Sequence, residues 1–172
     1  MIKDLARYSL IVILLLMLQL LIFSRLNLGY MFKPFPYVWF IFLLPFSTNR
    51  YGMLILGFLT GFILDFFSNT YGLHAAATTL LAFVRVMTDR RLNIETAQRE
   101  GYQRPERGML GLGSYLLYLT GLCFVHHALL FYYEAFRVTL LPQVLLTALL
   151  STAGTVGSIL LLEAIFVKRV IR

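Results

Sequence analysis

From Tyr51 to Phe83 the chain runs YGMLILGFLTGFILDFFSNTYGLHAAATTLLAF, and its only charged side chain is Asp65. A stretch this long and this apolar is compatible with very few environments. It reads as two apolar helices joined by the short polar turn SNTYG, with lipid as the surrounding solvent. Gly57, Gly61 and Asp65 recur every four residues, so on a helix they share one face. Small side chains on a face let another backbone approach closely. Across the turn, Gly72, Ala75, Ala76 and Thr79 give the second helix a small-residue face of its own, which predicts a close antiparallel hairpin with Asp65 near its tip.

Composition agrees with a lipid setting. Of the 172 residues 59% are hydrophobic and 13% charged, against about a quarter charged in soluble domains. The net charge of +7 would suggest nucleic acid in a soluble protein. In this chain the basic residues flank apolar blocks, where they act as topology signals and contacts to anionic lipid, so nucleic acid is not expected. The single cysteine, Cys123, lies in an apolar segment and excludes an intrachain disulfide.

Six spans are expected in one compact all-α bundle, at about 8–24, 37–48, 51–67, 72–88, 110–133 and 140–167. The first carries one polar residue, Gln19, expected to hydrogen-bond another helix. It is followed by Ser24-Arg25-Leu26-Asn27, which offers no small-x-small cleavage pattern. Pro34 and Pro36 forbid a continuous helix before the second span. Tyr30, Tyr37 and Trp39 fall where an interfacial aromatic belt would lie. This second apolar run is short and Pro45 interrupts its end, so a tilted, thin or re-entrant segment is expected. Residues 89–109 form the one sizeable aqueous loop, with a short helix expected near Leu92 to Gln98. In the last span Ser151, Gly154, Gly157 and Ser158 fall along one stripe suited to close helix packing.

With a cytoplasmic start, the inside receives Lys3, Arg7, Arg50, Arg85, Arg90, Arg91, Arg99, Arg104, Arg107, Lys168, Arg169 and Arg172. The outside receives Arg25, Lys33 and Arg137. Twelve against three is a strong positive-inside bias, placing both termini in the cytoplasm.

The arrangement of Gly57, Gly61 and Asp65, then a turn, then Gly72-Leu73-His74-Ala75 resembles the rod-shape-determining MreD family of bacterial inner-membrane proteins. The specific pattern covers about Gly57 to Ala82; elsewhere the likeness is one of length and hydrophobic layout. The resemblance implies a non-enzymatic scaffold subunit of the cell-elongation machinery. Its partners would be the transmembrane helix of MreC and, indirectly, the MreB filaments and the peptidoglycan polymerase and transpeptidase pair, with membrane lipids around it and no cofactor. On this reading Gly57, Gly61, Asp65, Gly72 and His74 build or support the partner site. The fold implied resembles that of the substrate-binding subunits of energy-coupling-factor transporters. A second function therefore stays open, a vitamin-type solute-binding subunit in which Asp65, His74 and Tyr71 line an outward pocket.

Asp65 needs a partner inside a bilayer, where an ionised carboxylate costs roughly 2.5 to 3.5 kcal/mol on permissive scales. His74 is the nearest in sequence; capping the next helix through its backbone N–H groups is the simpler role. His126 and His127 are adjacent, so their side chains point about 100 degrees apart on a helix and do not readily share one metal ion. Glu163 is expected to pair with a terminal basic residue. No phosphate-binding loop, Gly-x-Ser-x-Gly, His-Glu-x-x-His or closely spaced acid pair occurs, so no enzymatic activity is expected.

Overall fold

A computed structural model of the chain describes residues 2–26, 29 and 31–167, with side chains from Tyr8 to Phe166 among them. Tyr30 of the expected belt and the terminal Lys168, Arg169 and Arg172 lie outside the described residues, as do the side chains of Lys3 and Arg7.

The described residues are helical and contain no strand. Helix α1 (Ile2–Leu18) continues as a π-turn over Gln19–Phe23. A 3-10 turn (Pro36–Val38) leads into α2 (Trp39–Leu43), and α3 (Arg50–Ser68) is followed by α4 (Leu73–Asp89). Short helices α5 (Ile94–Arg99) and α6 (Arg107–Leu110) precede α7 (Leu112–Ala135) and α8 (Leu141–Leu162). Among the described residues three helical stretches are long and apolar enough to cross a membrane: Arg50–Ser68, Leu112–Ala135 and Val138–Phe166. Tyr8–Phe23 is apolar but shorter.

Local chemistry accounts for the boundaries. Asn49 caps α3, its Oδ1 accepting from the Gly52 N–H at 2.6 Å. Asn69 ends the helix in the left-handed region, a common helix stop. Asn93 starts α5, which overlaps the stretch expected to be helical inside the polar loop and ends one residue later.

The middle of the bundle is filled by the segment from Tyr37 to Leu44, every residue of which is buried. Tyr37 and Trp39 are therefore core residues rather than an interfacial belt. The proline-directed break brings Tyr37 against α4 and α7 and its turn against α1 and α8, and it packs the helix that carries Trp39 on α1 and α3, rather than leaving either ring at a membrane boundary. The extended chain before them needs partners for its backbone N–H groups, because buried unpaired amides are costly. Helix α8 provides them: Ser151 Oγ accepts from the Lys33 N–H at 2.9 Å, and Thr155 Oγ1 from the Phe35 N–H at 2.8 Å. The small-residue stripe of α8 thus faces the non-helical segment before Pro36. A Cβ added at Gly154 would meet the Phe32 ring at 2.5 Å, whereas at Gly157 it would meet nothing within 4 Å.

Candidate functional site

The α3–α4 hairpin forms as the small-residue spacing predicts. A Cβ built on Gly61 would run into the His74 carbonyl oxygen and lie 2.6 Å from the Ala75 Cα. One on Gly57 would lie 3.0 Å from both the Thr78 oxygen and the Ala82 Cβ. Both glycines are spent on the contact between the two helices. They support the hairpin and do not offer a face to another chain.

Asp65 closes the tip. Its Oδ1 accepts from the Thr70 hydroxyl at 2.5 Å and the His74 N–H at 3.0 Å; its Oδ2 accepts from the Ala75 N–H at 2.8 Å. The carboxylate sits where the first turn of α4 leaves its amides without partners, the position that a negative group favours. The turn that makes this reach possible has Asn69, Tyr71 and Gly72 all at positive φ, with Gly72 at +92°. Only glycine takes that last conformation without strain.

His74 meets Asp65 through its backbone, while its imidazole turns inward. There Tyr37 Oη lies 3.1 Å from His74 Nδ1, 3.0 Å from Thr78 Oγ1 and 3.0 Å from His126 Nε2. The proton count assigns the roles. The Thr78 hydroxyl donates to the His74 carbonyl at 2.7 Å, so it accepts from Tyr37, and both imidazoles donate their N–H to the Tyr37 oxygen. His126 Nδ1 is then a bare lone pair, and it has no partner. His127 is held separately: its Nδ1 donates to the Cys123 carbonyl at 2.6 Å, and its Nε2 accepts from Thr155 at 3.1 Å. The adjacent histidines thus serve different partners. The Phe35 ring packs against all three imidazoles, its centroid 5.1 Å from His74, 6.3 Å from His126 and 5.6 Å from His127.

On the outside of the hairpin, α3 and α4 form an open apolar groove of about 980 Å³. Phe58, Phe62 and Phe66 wall one side and Phe83 the other, above a floor of Gly72, Ala75, Ala76 and Thr79. Phe58 and Phe62 stack at 5.8 Å.

A second cavity, about 540 Å³, opens at the end of the bundle where Gln19, Thr70, His74 and Glu134 meet. Of the residues expected to form a solute pocket, His74 lines this cavity, Asp65 lines the groove, and Tyr71 is 91% exposed at the groove's end.

At the opposite end of α4, Arg85 is fully buried. Its Nη2 donates to the Leu44 carbonyl at 2.6 Å and its Nε to Asp89 at 3.2 Å, while Tyr118 donates to the other Asp89 oxygen at 2.8 Å. Counting Arg85 with the aqueous arginines is thereby corrected: the end of the short helix α2 leaves a carbonyl that needs a buried donor. Glu163 pairs with Arg107 at 2.9 Å and accepts from Tyr115; the terminal basic residues expected beside it lie outside the described residues.

Tyr37, Thr78, Arg85, Asp89 and Tyr118 were not singled out as site residues by sequence. Compared with known proteins, the chain matches no family model, no curated protein and no solved structure.

Proposed function

We propose that this chain is a non-enzymatic scaffold subunit of the bacterial cell-elongation machinery in the inner membrane. It would bind the single transmembrane helix of an MreC-type partner and so help couple peptidoglycan synthesis to MreB filaments. The observation that carries this reading is the groove on the α3–α4 hairpin. Its floor is small and its walls are aromatic, the combination that admits a helix backbone closely and grips its side chains. Gly57, Gly61, Asp65, Gly72 and His74 hold the groove in shape from behind and at its tip. The pattern that resembles the MreD family lies in this same hairpin.

In this proposal the chain crosses six times, with α1, the 31–43 segment, α3, α4, α7 and α8 as crossing elements, both termini cytoplasmic, and a bundle like that of transporter substrate-binding subunits. Residues 36–43 alone would reach about 12 Å as a helix. The four non-helical residues before them, 32–35, would add roughly 13 Å when extended, and together these reach most of the ~30 Å hydrocarbon core. A broken crossing of this kind is tolerated where it is surrounded by protein, which is how Ser151 and Thr155 treat it. The solute-binding alternative would gather Asp65, His74 and Tyr71 around one pocket; Asp65 and Tyr71 share the groove while the His74 imidazole turns to the other cavity, which favours the scaffold.

Photo-crosslinkers at Phe62, Phe66 and Phe83 in native membranes test the reading. Recovery of a single-span membrane protein, abolished by Gly61→Leu at unchanged protein level, is the expected result. Adducts with lipid alone, or with transporter coupling subunits, overturn it.

A further inference from the structure

The arginines around the polar loop fall into two sets. Arg85 is buried against Asp89 and the Leu44 carbonyl, Arg104 pairs with Glu106 at 3.0 Å, and Arg107 pairs with Glu163 at 2.9 Å. These three hold the bundle and its loop together. Arg90 and Arg91, directly after α4, are exposed, and their side chains make no ion pair or hydrogen bond among the described residues. Arg50, which opens α3, is exposed too and meets no acid: its guanidinium lies 4.6 Å from the centre of the Tyr51 ring, and its Nη2 donates to Tyr51 Oη at 2.7 Å. The exposed acids of the loop, Glu95 and Glu100, pair with none of them.

The hairpin register brings the second set to one place. Gly57 of α3 lies opposite Thr78 and Ala82 of α4, and Gly61 lies opposite His74 and Ala75. Two turns back from Gly57 is Arg50, and two turns on from Thr78 and Ala82 are Arg85 and Asp89. Arg50 therefore stands level with the last turn of α4, and Arg90 and Arg91 follow at once. From this end the surface turns apolar on both helices. Tyr51, Leu54 and Phe58 share one face of α3; Leu80, Phe83 and Met87 share one face of α4, which Arg90 and Arg91 continue. Tyr51, Phe58, Phe83 and Met87 are exposed.

A cationic lip directly bordering an apolar face matches a molecule that carries an anion at the head of a hydrocarbon chain. A soluble acidic protein would cover the arginines and leave the apolar face wet. We propose that Arg50, Arg90 and Arg91 hold the phosphodiester head of an anionic phospholipid, with its glycerol backbone and first methylenes against Tyr51 and Met87. Guanidinium groups match phosphate oxygens in pairs, and basic residues at the end of a membrane helix draw anionic lipid. The site needs the chain to lie in a bilayer, as proposed above, but not the MreC-type partner.

The test places the full chain in nanodiscs of phosphatidylcholine, alone or mixed with phosphatidylglycerol of identical acyl chains. The expected result is a higher melting temperature in the mixture and phosphatidylglycerol retained in native mass spectra. Arg90→Gln and Arg91→Gln, both on exposed positions, should each lower that retention roughly fivefold. Arg137→Gln removes the same charge from an exposed position at the far end of α7 and should leave retention intact. A loss as large in Arg137→Gln would reduce the effect to net charge and overturn the site, as would a preference that Arg90→Gln and Arg91→Gln do not change. Equal melting in both discs overturns it as well. An equal shift from soluble glycerol phosphate in phosphatidylcholine discs would make the occupant a free phosphate and exclude the lipid. A chain that enters neither disc overturns the membrane reading and this site with it.

Discussion

Asp65 and Ala75 are ten residues apart, yet the Asp65 Oδ2 accepts the Ala75 N–H at 2.8 Å, joining the end of one helix to the start of the next. Three donors converge on this one carboxylate. Asp65→Leu strands all three and is expected to cost about 3 kcal/mol or more. Asp65→Asn keeps one acceptor oxygen but turns an NH2 toward a backbone N–H, for a cost of about 1–2 kcal/mol. Thermal loss of helicity in detergent ranks the variants. Equal severity would show that the charge itself matters, and wild-type stability in both would remove the capping role.

The two glycines of α3 are not equivalent. A methyl group at Gly61 would run into the backbone of α4, which has to move as a unit, whereas at Gly57 it would press on the Thr78 carbonyl at 3.0 Å and on a methyl group. Gly61→Ala is therefore expected to destabilise by about 1–3 kcal/mol and Gly57→Ala by less. On the proposed scaffold reading, Gly61→Ala should round rod-shaped cells before Gly57→Ala does. The reverse order, at matched protein levels, would contradict the packing.

Much of this hairpin was legible in sequence because its determinants are local. Gly57, Gly61 and Asp65 repeat at helical spacing, and SNTYG carries turn residues in a row. Tyr37 was misread because its partners, His74, Thr78 and His126, are 37 to 89 residues away. An aromatic residue after two prolines looks the same at a membrane boundary as in a core. Arg85 was misread for a related reason: charge counting treats an arginine near a helix end as aqueous, and nothing nearby in sequence reveals the Leu44 carbonyl that it meets. Ser151 of α8 reads as a helix-packing residue and Thr155 stands out in no pattern, since a hydroxyl that accepts from a non-helical segment leaves no periodic mark.

The Tyr37 hub gives a coupling prediction. Tyr37→Phe removes the one oxygen shared by two imidazoles and Thr78, leaving buried polar groups unpaired at a cost of about 1–3 kcal/mol. His126→Leu removes one of those groups. If the network is shared, the double variant should be less unstable than the sum of the single variants, by about 0.5 kcal/mol or more. Strict additivity of the melting data would mean that Tyr37 and His126 do not interact.

Arg85 offers the sharpest stability test. Arg85→Met leaves the Leu44 carbonyl without its donor and Asp89 with only Tyr118, and removing one partner of a buried ion pair typically costs about 3–5 kcal/mol. Adding Asp89→Leu removes the stranded acid and should recover part of the loss. Arg85→Lys keeps the charge but loses the fork that reaches both partners, so it should fall between the wild type and Arg85→Met. If Arg85→Met melts like the wild type, the buried pair contributes nothing to stability.

The proposed topology can be read from the two ends of α7. At 24 residues this helix would span about 36 Å, enough to separate the arginine-rich loop from the turn at Phe136. Cys123 is buried, and replacing it with alanine gives a silent background for new cysteines. Glu100→Cys and Phe136→Cys both fall on exposed positions. A membrane-impermeant maleimide applied to spheroplasts should label Phe136→Cys directly and Glu100→Cys only after the membrane is opened. The loop carries Arg90, Arg91, Arg99, Arg104 and Arg107, and the positive-inside bias assigns that side to the cytoplasm. The opposite labelling pattern would invert the chain, and labelling of both from one side would mean that α7 does not cross.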